Sequence, residues 1–246
     1  MWKFLFEFAD RFFAIIPVKK WRNYLRVTVL FDYRNKLNAL RNAYPNLDFK
    51  KIRLTKGGGS IVFIIDNKLT FKVRKYNNET INFDRFTREK RITDAIRPFC
   101  TIQIPNIEFV TIDGYTFYKS GFIPGKLLVN ISTSRIKKHQ KQISRQLAEF
   151  IYKKSFALPD TIEDLRTQPT QKDFSWIHGD MCSNILVNPK TMVVTGIIDW
   201  EWANYAPTEN EFRGLVWVRK KMRKIGLDKT VKKCYLDILN KNKSKR

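Results

Sequence analysis

The sequence predicts an α+β protein, with a small antiparallel-sheet lobe first and a mostly helical lobe after it. Three observations carry that expectation. The stretch LTKGGGSIVFIIDNKLTFKVRK, from Leu54 to Lys75, reads as two strands joined by a turn at Asp66-Asn67, with a triple glycine ahead of the first. A second turn, Asp113-Gly114, sits between short strand-like runs around IEFVTIDGYTFYKSGFIPG. From Ser134 to Ala157, by contrast, Ile136, Ile143, Leu147, Phe150 and Ile151 recur with helical spacing. Strands early and helices late are the order of an α+β chain.

The elements follow in turn. The opening, MWKFLFEFADRFFAIIPVKKWRNYLR, has a wide aromatic face, with Lys3, Glu7, Asp10 and Arg11 gathered on one sector. Pro17 ends that helix, and Lys19, Lys20, Trp21, Arg22 and Arg26 follow. The charges rule out a bilayer-spanning helix and a clean signal peptide. The pattern suits a helix lying in a membrane interface, held by anionic headgroups over residues 1–26. A helix packed on the rest of the domain is the alternative. After the first hairpin, NFDRFTREKRITDAI is a charged helical segment ended by Pro98. A polar connection rich in Thr, Gln and Asp leads to WIHGDMCSNILVNPKTMVVTGIIDWEWA, where Ile185-Leu186-Val187 and Val193-Val194 flank a turn at Asn188-Pro189. The remainder is expected to be helical. Domain divisions are expected at 1–45, 46–123 and 124–246, the last with a basic tail.

Composition narrows the function. The 246 residues carry 47 Lys+Arg against 23 Asp+Glu, a formal charge of +24, which favours polyanionic partners. No nucleic-acid recognition motif accompanies that charge, so no specific nucleic-acid partner is expected. Cys100, Cys182 and Cys234 are isolated, and the imidazoles are His139 and His178. No disulfide framework and no zinc site follows from them, and a reducing cytosol is the natural compartment.

The chemistry-bearing residues come in a definite order. Gly57, Gly58 and Gly59, followed by Ser60, let the backbone approach phosphate oxygens closely, though the absence of a following Gly-Lys-Ser/Thr excludes a P-loop. Lys72 lies on the strand leaving the hairpin, on the face opposite Phe71 and Val73. Glu89, on the next helix, can pair with Lys72 and hold it toward nucleotide phosphates. His178-Gly179-Asp180 precedes Asn184, and a second strand delivers Asp199 and Glu201. Phosphoryl transfer needs a carboxylate to orient the acceptor hydroxyl and hard oxygen ligands for Mg²⁺; Asp180 fits the first role, Asn184 and Asp199 the second. Each residue also has a plain structural reading, as a turn former, a helix cap or a strand terminator.

At HGD…N followed by GIIDWEWA the chain resembles the aminoglycoside phosphotransferase and choline kinase superfamily, relatives of the protein kinases, and GFIPGKLL is similar to the family's hinge between lobes. The resemblance spans roughly Thr55 to Pro207. It implies a bilobal protein-kinase-like fold, ATP with Mg²⁺, and transfer to a hydroxyl of a small molecule. By residue it implies Lys72 on the α/β phosphates with Glu89 as its partner, Asp180 as base, and Asn184 and Asp199 on Mg²⁺. His178 and Gly179 would shape the catalytic loop, and Glu201 would support the metal site. The opening segment also resembles the leaders of bacterial surface-glycan assembly enzymes. Met181-Cys182-Ser183 separate Asp180 from Asn184, one residue fewer than the family usually has. The parts that build the family's acceptor pocket are brief here, which suits a large or membrane-displayed acceptor. The function expected is therefore phosphorylation of a sugar or lipid-linked glycan, of the lipopolysaccharide or capsule type, at the cytoplasmic membrane face. Aminoglycoside or choline phosphorylation and an inactive kinase-fold scaffold are the alternatives.

Overall fold

A computed structural model of the chain describes residues 32–56, 60–74, 80–157, 173–216 and 220–243. The amphipathic helix expected over 1–26, the Gly57-Gly58-Gly59 turn and the polar connection at 158–172 lie outside the described residues. The chain divides into two compact units. One takes in the described residues up to 82 with Glu108–Phe122, the other Phe83–Ile107 and the described residues from Ile123 onward.

The first unit is a five-stranded antiparallel sheet covered by a helix. Helix α1 (Tyr33–Ala43) precedes β1 (Ile52–Lys56), β2 (Ser60–Ile65), β3 (Leu69–Arg74), β4 (Glu108–Ile112) and β5 (Tyr115–Gly121). Their spatial order is β1-β2-β3-β5-β4. Asp66 and Asn67, at φ 54° and 50°, give the left-handed turn that a right-twisted hairpin requires, and Asp113-Gly114 does the same between β4 and β5. Period-two alternation sends Ile61, Phe63, Ile65, Phe71, Val73 and Phe117 into one core with Leu37 and Leu40 of α1. The buried Lys36 of α1 donates to the Arg74 carbonyl at 3.0 Å, and burial lowers its pKa. Strand β1 was not among the strands expected from the sequence. It pairs only with β2 at the sheet edge, and Arg53, Leu54 and Thr55 are exposed, so it lacks the apolar face that marks the other strands.

The second unit packs helices around short sheets. It contains α2 (Thr80–Ile96, counted here from Phe83), β6 (Lys126–Leu127), α3 (Thr133–Lys138), α4 (Gln140–Lys154) and β7 (Phe174–Ile177). These are followed by β8 (Ile185–Val187), β9 (Val194–Ile197), β10 (Asn204–Pro207), α5 (Glu209–Gly214), α6 (Lys220–Ile225) and α7 (Leu227–Lys243). A single core joins Ile143, Leu147, Phe150 and Ile151 of α4 to Trp176, Ile197, Trp200 and Phe212. The expectation that everything after the β8–β9 hairpin and its IIDWEWA run is helical is corrected at β10. Asn204–Pro207 pairs antiparallel with β7, and neither strand is long enough to show a period of its own. No helix among the described residues is long and apolar enough to cross a membrane.

Candidate active site

The β8–β9 hairpin sets the spacing that matters. Its register places Ile185 opposite Ile197, and one step further the Ile198 N–H donates to the Asn184 carbonyl at 3.1 Å. Asn184 and Asp199 therefore emerge at the same end of the hairpin. Asp199 sits in the left-handed region at φ 64°, a conformation that costs a non-glycine residue energy and recurs at functional turns. Before β8, Met181–Ser183 forms a single 3-10 turn. The Asn184 side-chain amide donates to the Asp180 carbonyl at 2.8 Å and lies 3.4 Å from its carboxylate. With the amide nitrogen so engaged, the Asn184 oxygen is the atom left to face a cation. The tight loop thus brings Asn184 directly onto Asp180. One amide oxygen and one carboxylate are hard donors of the kind Mg²⁺ prefers, so these residues fit that ion. Among the described residues no group of three or more His, Cys, Asp or Glu could hold a metal.

His178 is the brace behind this loop. It is fully buried, and its ring lies 4.6 Å from that of Trp200. Nδ1 accepts the Asp180 N–H at 3.2 Å, so the ring proton belongs on Nε2, which donates to the Ile198 carbonyl at 2.9 Å. One neutral tautomer thereby links the Asp180 loop to the strand end preceding Asp199. Burial lowers the His178 pKa against the raising influence of Glu211, the Ile198 carbonyl, Asp199 and Asp180, which matches that neutral form. Gly179, at φ 82°, has no room for a side chain, since a Cβ would stand 2.4 Å from the Trp202 carbonyl oxygen. The conformation and the close approach both require glycine here.

Three further residues hold the loop that the sequence reading did not single out. Glu211 of α5 accepts the His178 N–H at 2.9 Å and the Lys154 ammonium at 3.3 Å through the same oxygen. Both side chains of this ion pair are wholly buried, and Lys154 also donates to the Trp176 carbonyl. Arg88 of α2 donates twice to the Ala203 carbonyl, at 3.1 and 3.3 Å. A signal for Lys154 existed: it continues the apolar row Ile143, Leu147, Phe150, Ile151 at helical spacing, so it had to lie on the inner face.

The remaining expected residues fall as follows. Glu89 is fully buried on α2, and its carboxylate accepts the Trp200 N–H at 2.8 Å, one residue past Asp199. Lys72 lies on β3 in the first unit, half-buried, with its ammonium 5.6 Å from the Tyr118 ring centroid. Phe71 and Val73, on either side of it, point into the core. Ser60 is buried at the start of β2, opposite Arg74. Asp180 and Glu201 are half-buried. Gly57, Gly58 and Gly59 lie outside the described residues.

Comparison with known proteins bears on this geometry. Residues 134–223 match the phosphotransferase enzyme family, a span that contains Asp180, Asn184 and Asp199. No curated protein matches the chain in sequence. Among solved structures, the GDP and kanamycin complex of APH(2")-IIia is 17% identical with a TM-score of 0.62, over 83% of this chain and 85% of that one. The streptomycin-ATP-APH(2")-IIa ternary complex is 14% identical with a TM-score of 0.61, over 81% of each chain. Macrolide 2'-phosphotransferase MphH from Brachybacterium faecium is 12% identical with a TM-score of 0.60, over 81% of this chain and 82% of that one. The antiparallel sheet and the helical second unit give this chain the protein-kinase-like fold of these phosphotransferases.

Proposed function

We propose that the chain is an ATP- and Mg²⁺-dependent phosphotransferase that phosphorylates a hydroxyl of a sugar or glycan at the cytoplasmic face of the membrane. The observation that carries this reading is the convergence of Asp180, Asn184 and Asp199 at one end of the β8–β9 hairpin, braced by the neutral His178. Asp180 orients the acceptor hydroxyl and takes its proton as its oxygen bonds the γ-phosphorus and the bond to the departing ADP oxygen breaks. Asn184 and Asp199 would hold Mg²⁺, which would neutralise charge on the nucleotide phosphates. Lys72 holds the α/β phosphates with Glu89 as its partner, and Gly57, Gly58, Gly59 and Ser60 cover them. Residues 1–26 supply a peripheral membrane contact.

A second reading is an aminoglycoside kinase, favoured by the kanamycin and streptomycin in the complexes of the similar folds. The +24 charge of this chain argues for the glycan, since an aminoglycoside is itself a polycation and like charges oppose encounter. The deciding experiment is an Mg-ATP transfer assay against sugars, lipid-linked glycans, choline and aminoglycosides, with Asp180→Ala as control. Transfer to a glycan, lost in Asp180→Ala, is expected. Transfer to aminoglycosides alone would establish the second reading, and full transfer by Asp180→Ala would remove the base assignment.

A further inference from the structure

The α4–α7 face of the second unit is built differently from the hairpin site. On α4, Lys141, Arg145, Glu149 and Lys153 recur every fourth residue and so form one row along the helix. On α7, Lys233 and Asp237 begin a second row at the same interval. Both rows line one cleft of about 970 Å³. Its floor is polar and closed upon itself: Ser144 Oγ donates to Thr230 Oγ1 at 2.9 Å, and the Gln140 amide reaches the Ile225 carbonyl at 2.9 Å.

This charge pattern works against the helix that carries it. Lys141 and Arg145 are like charges one turn apart, which destabilises a helix. Lys141 also lies in the first turn of α4, where a cation opposes the helix dipole, and that turn contains no acid. Among the described residues Lys141, Arg145, Lys153 and Lys233 enter no ion pair, although Glu149 and Asp237 stand in the same rows. Four exposed cations on one cleft, two of them set at a cost to their own helix, are suited to an anion from outside.

We propose that the α4–α7 face is a docking surface for an anionic bilayer, with its rows of cations meeting lipid phosphates. From Lys141 to Lys153 the row runs about 18 Å along α4, more than one free phosphate can occupy. Single-stranded nucleic acid draws on exposed rings for base stacking. Tyr152, the ring on this cleft, is instead packed edge-on by Phe156 at 5.0 Å and Tyr235 at 6.4 Å. Attraction of basic residues to a negative leaflet is additive and falls off within a Debye length, which rewards several cations on one face.

The test is co-sedimentation of the full chain with phosphatidylcholine vesicles, alone or with about a third phosphatidylglycerol. The variant Lys141→Gln/Arg145→Gln/Lys153→Gln/Lys233→Gln is compared with a matched control, Arg34→Gln/Arg41→Gln/Lys50→Gln/Lys51→Gln, in the first unit. The first variant is expected to lose at least about tenfold in partitioning onto the anionic vesicles, to depend less steeply on salt, and to melt no lower than the parent. The control is expected to keep most of its binding. Equal losses in the two variants would reduce the effect to net charge and overturn the assignment, as would no loss in the first. A single-stranded oligonucleotide that displaces the parent from vesicles, and binds the first variant weakly, would make the face a nucleic-acid surface instead.

Discussion

The hairpin site and the α4–α7 face are both rich in charge, and they treat it in opposite ways. At the site the polar groups are buried and tied to named backbone atoms: Glu89 to Trp200, His178 to Ile198 and Asp180, Lys154 to Trp176, Glu211 to His178. On the α4–α7 face Lys141, Arg145, Lys153 and Lys233 are exposed and, among the described residues, without ion-pair partners. Buried and paired charge fixes geometry, at a large penalty if one member is removed. Exposed, unpaired charge fixes nothing and stays available to a partner. Mutations should therefore have opposite signs in the two regions, losing stability at the first and gaining it at the second.

The sharpest break is expected at the Lys154–Glu211 pair. Lys154→Met leaves Glu211 buried without its counter-ion, and chemical denaturation should register a loss of about 3–5 kcal/mol. Lys154→Met/Glu211→Leu, which removes both charges, should recover most of that stability. Transfer activity should not recover with it, because the His178 N–H then lacks its acceptor and the Asp180 loop loses its brace. Activity restored along with stability would make the pair a packing device with no bearing on Asp180.

Gly179→Ala comes next. The added methyl meets the Trp202 carbonyl in a backbone conformation already unfavourable to alanine, for a cost of roughly 2 kcal/mol or more. Since Gly179 precedes Asp180, kcat should fall further than the melting temperature alone accounts for. An unchanged kcat in the folded fraction would show that the loop tolerates the shift.

How much of this was legible in sequence divides along the same line. Patterns carried by adjacent residues were readable: the Asp66-Asn67 and Asp113-Gly114 turns, the β8–β9 hairpin, and the HGD…N and IIDWE runs that place Asp180, Asn184 and Asp199 on it. What depends on distant partners was not. Lys154 and Glu211 are 57 residues apart, and a Lys-Lys pair at a helix end resembles solvent-facing charge until its place on the apolar row is noticed. The β7–β10 pairing is equally non-local and its strands too short for a period. Glu89 drew notice only as an expected partner for Lys72, whereas its bond to the Trp200 N–H follows from packing alone.

A milder test uses pH. Burial holds the folded His178 below the ordinary imidazole value, while in the unfolded chain it titrates near 6.5. The unfolded state therefore binds the extra proton first as pH falls. The His178 contribution is complete above that value and is lost as pH drops toward the lower value of the folded state. Unfolding midpoints should fall between about pH 6.5 and 5, before the carboxylates titrate, and His178→Gln should flatten that slope. A slope that survives the substitution would assign it to another group.

The smallest effect is the one whose sign separates the two regions. Lys141→Glu replaces a like-charged neighbour of Arg145 with an acid placed one turn N-terminal to it, the favourable orientation for such a pair. The new carboxylate also complements the dipole in the first turn of α4, which contains no acid. Together these should raise stability by about 0.5–1 kcal/mol, measurable as a higher denaturation midpoint. The same change should weaken partitioning onto anionic vesicles, because it subtracts two charges from the row. Gain of stability with loss of binding is the signature of a residue kept for a partner rather than for the fold. Loss of stability in Lys141→Glu would mean that Lys141 already serves the helix, and the contrast with the hairpin site would fail at its weakest point.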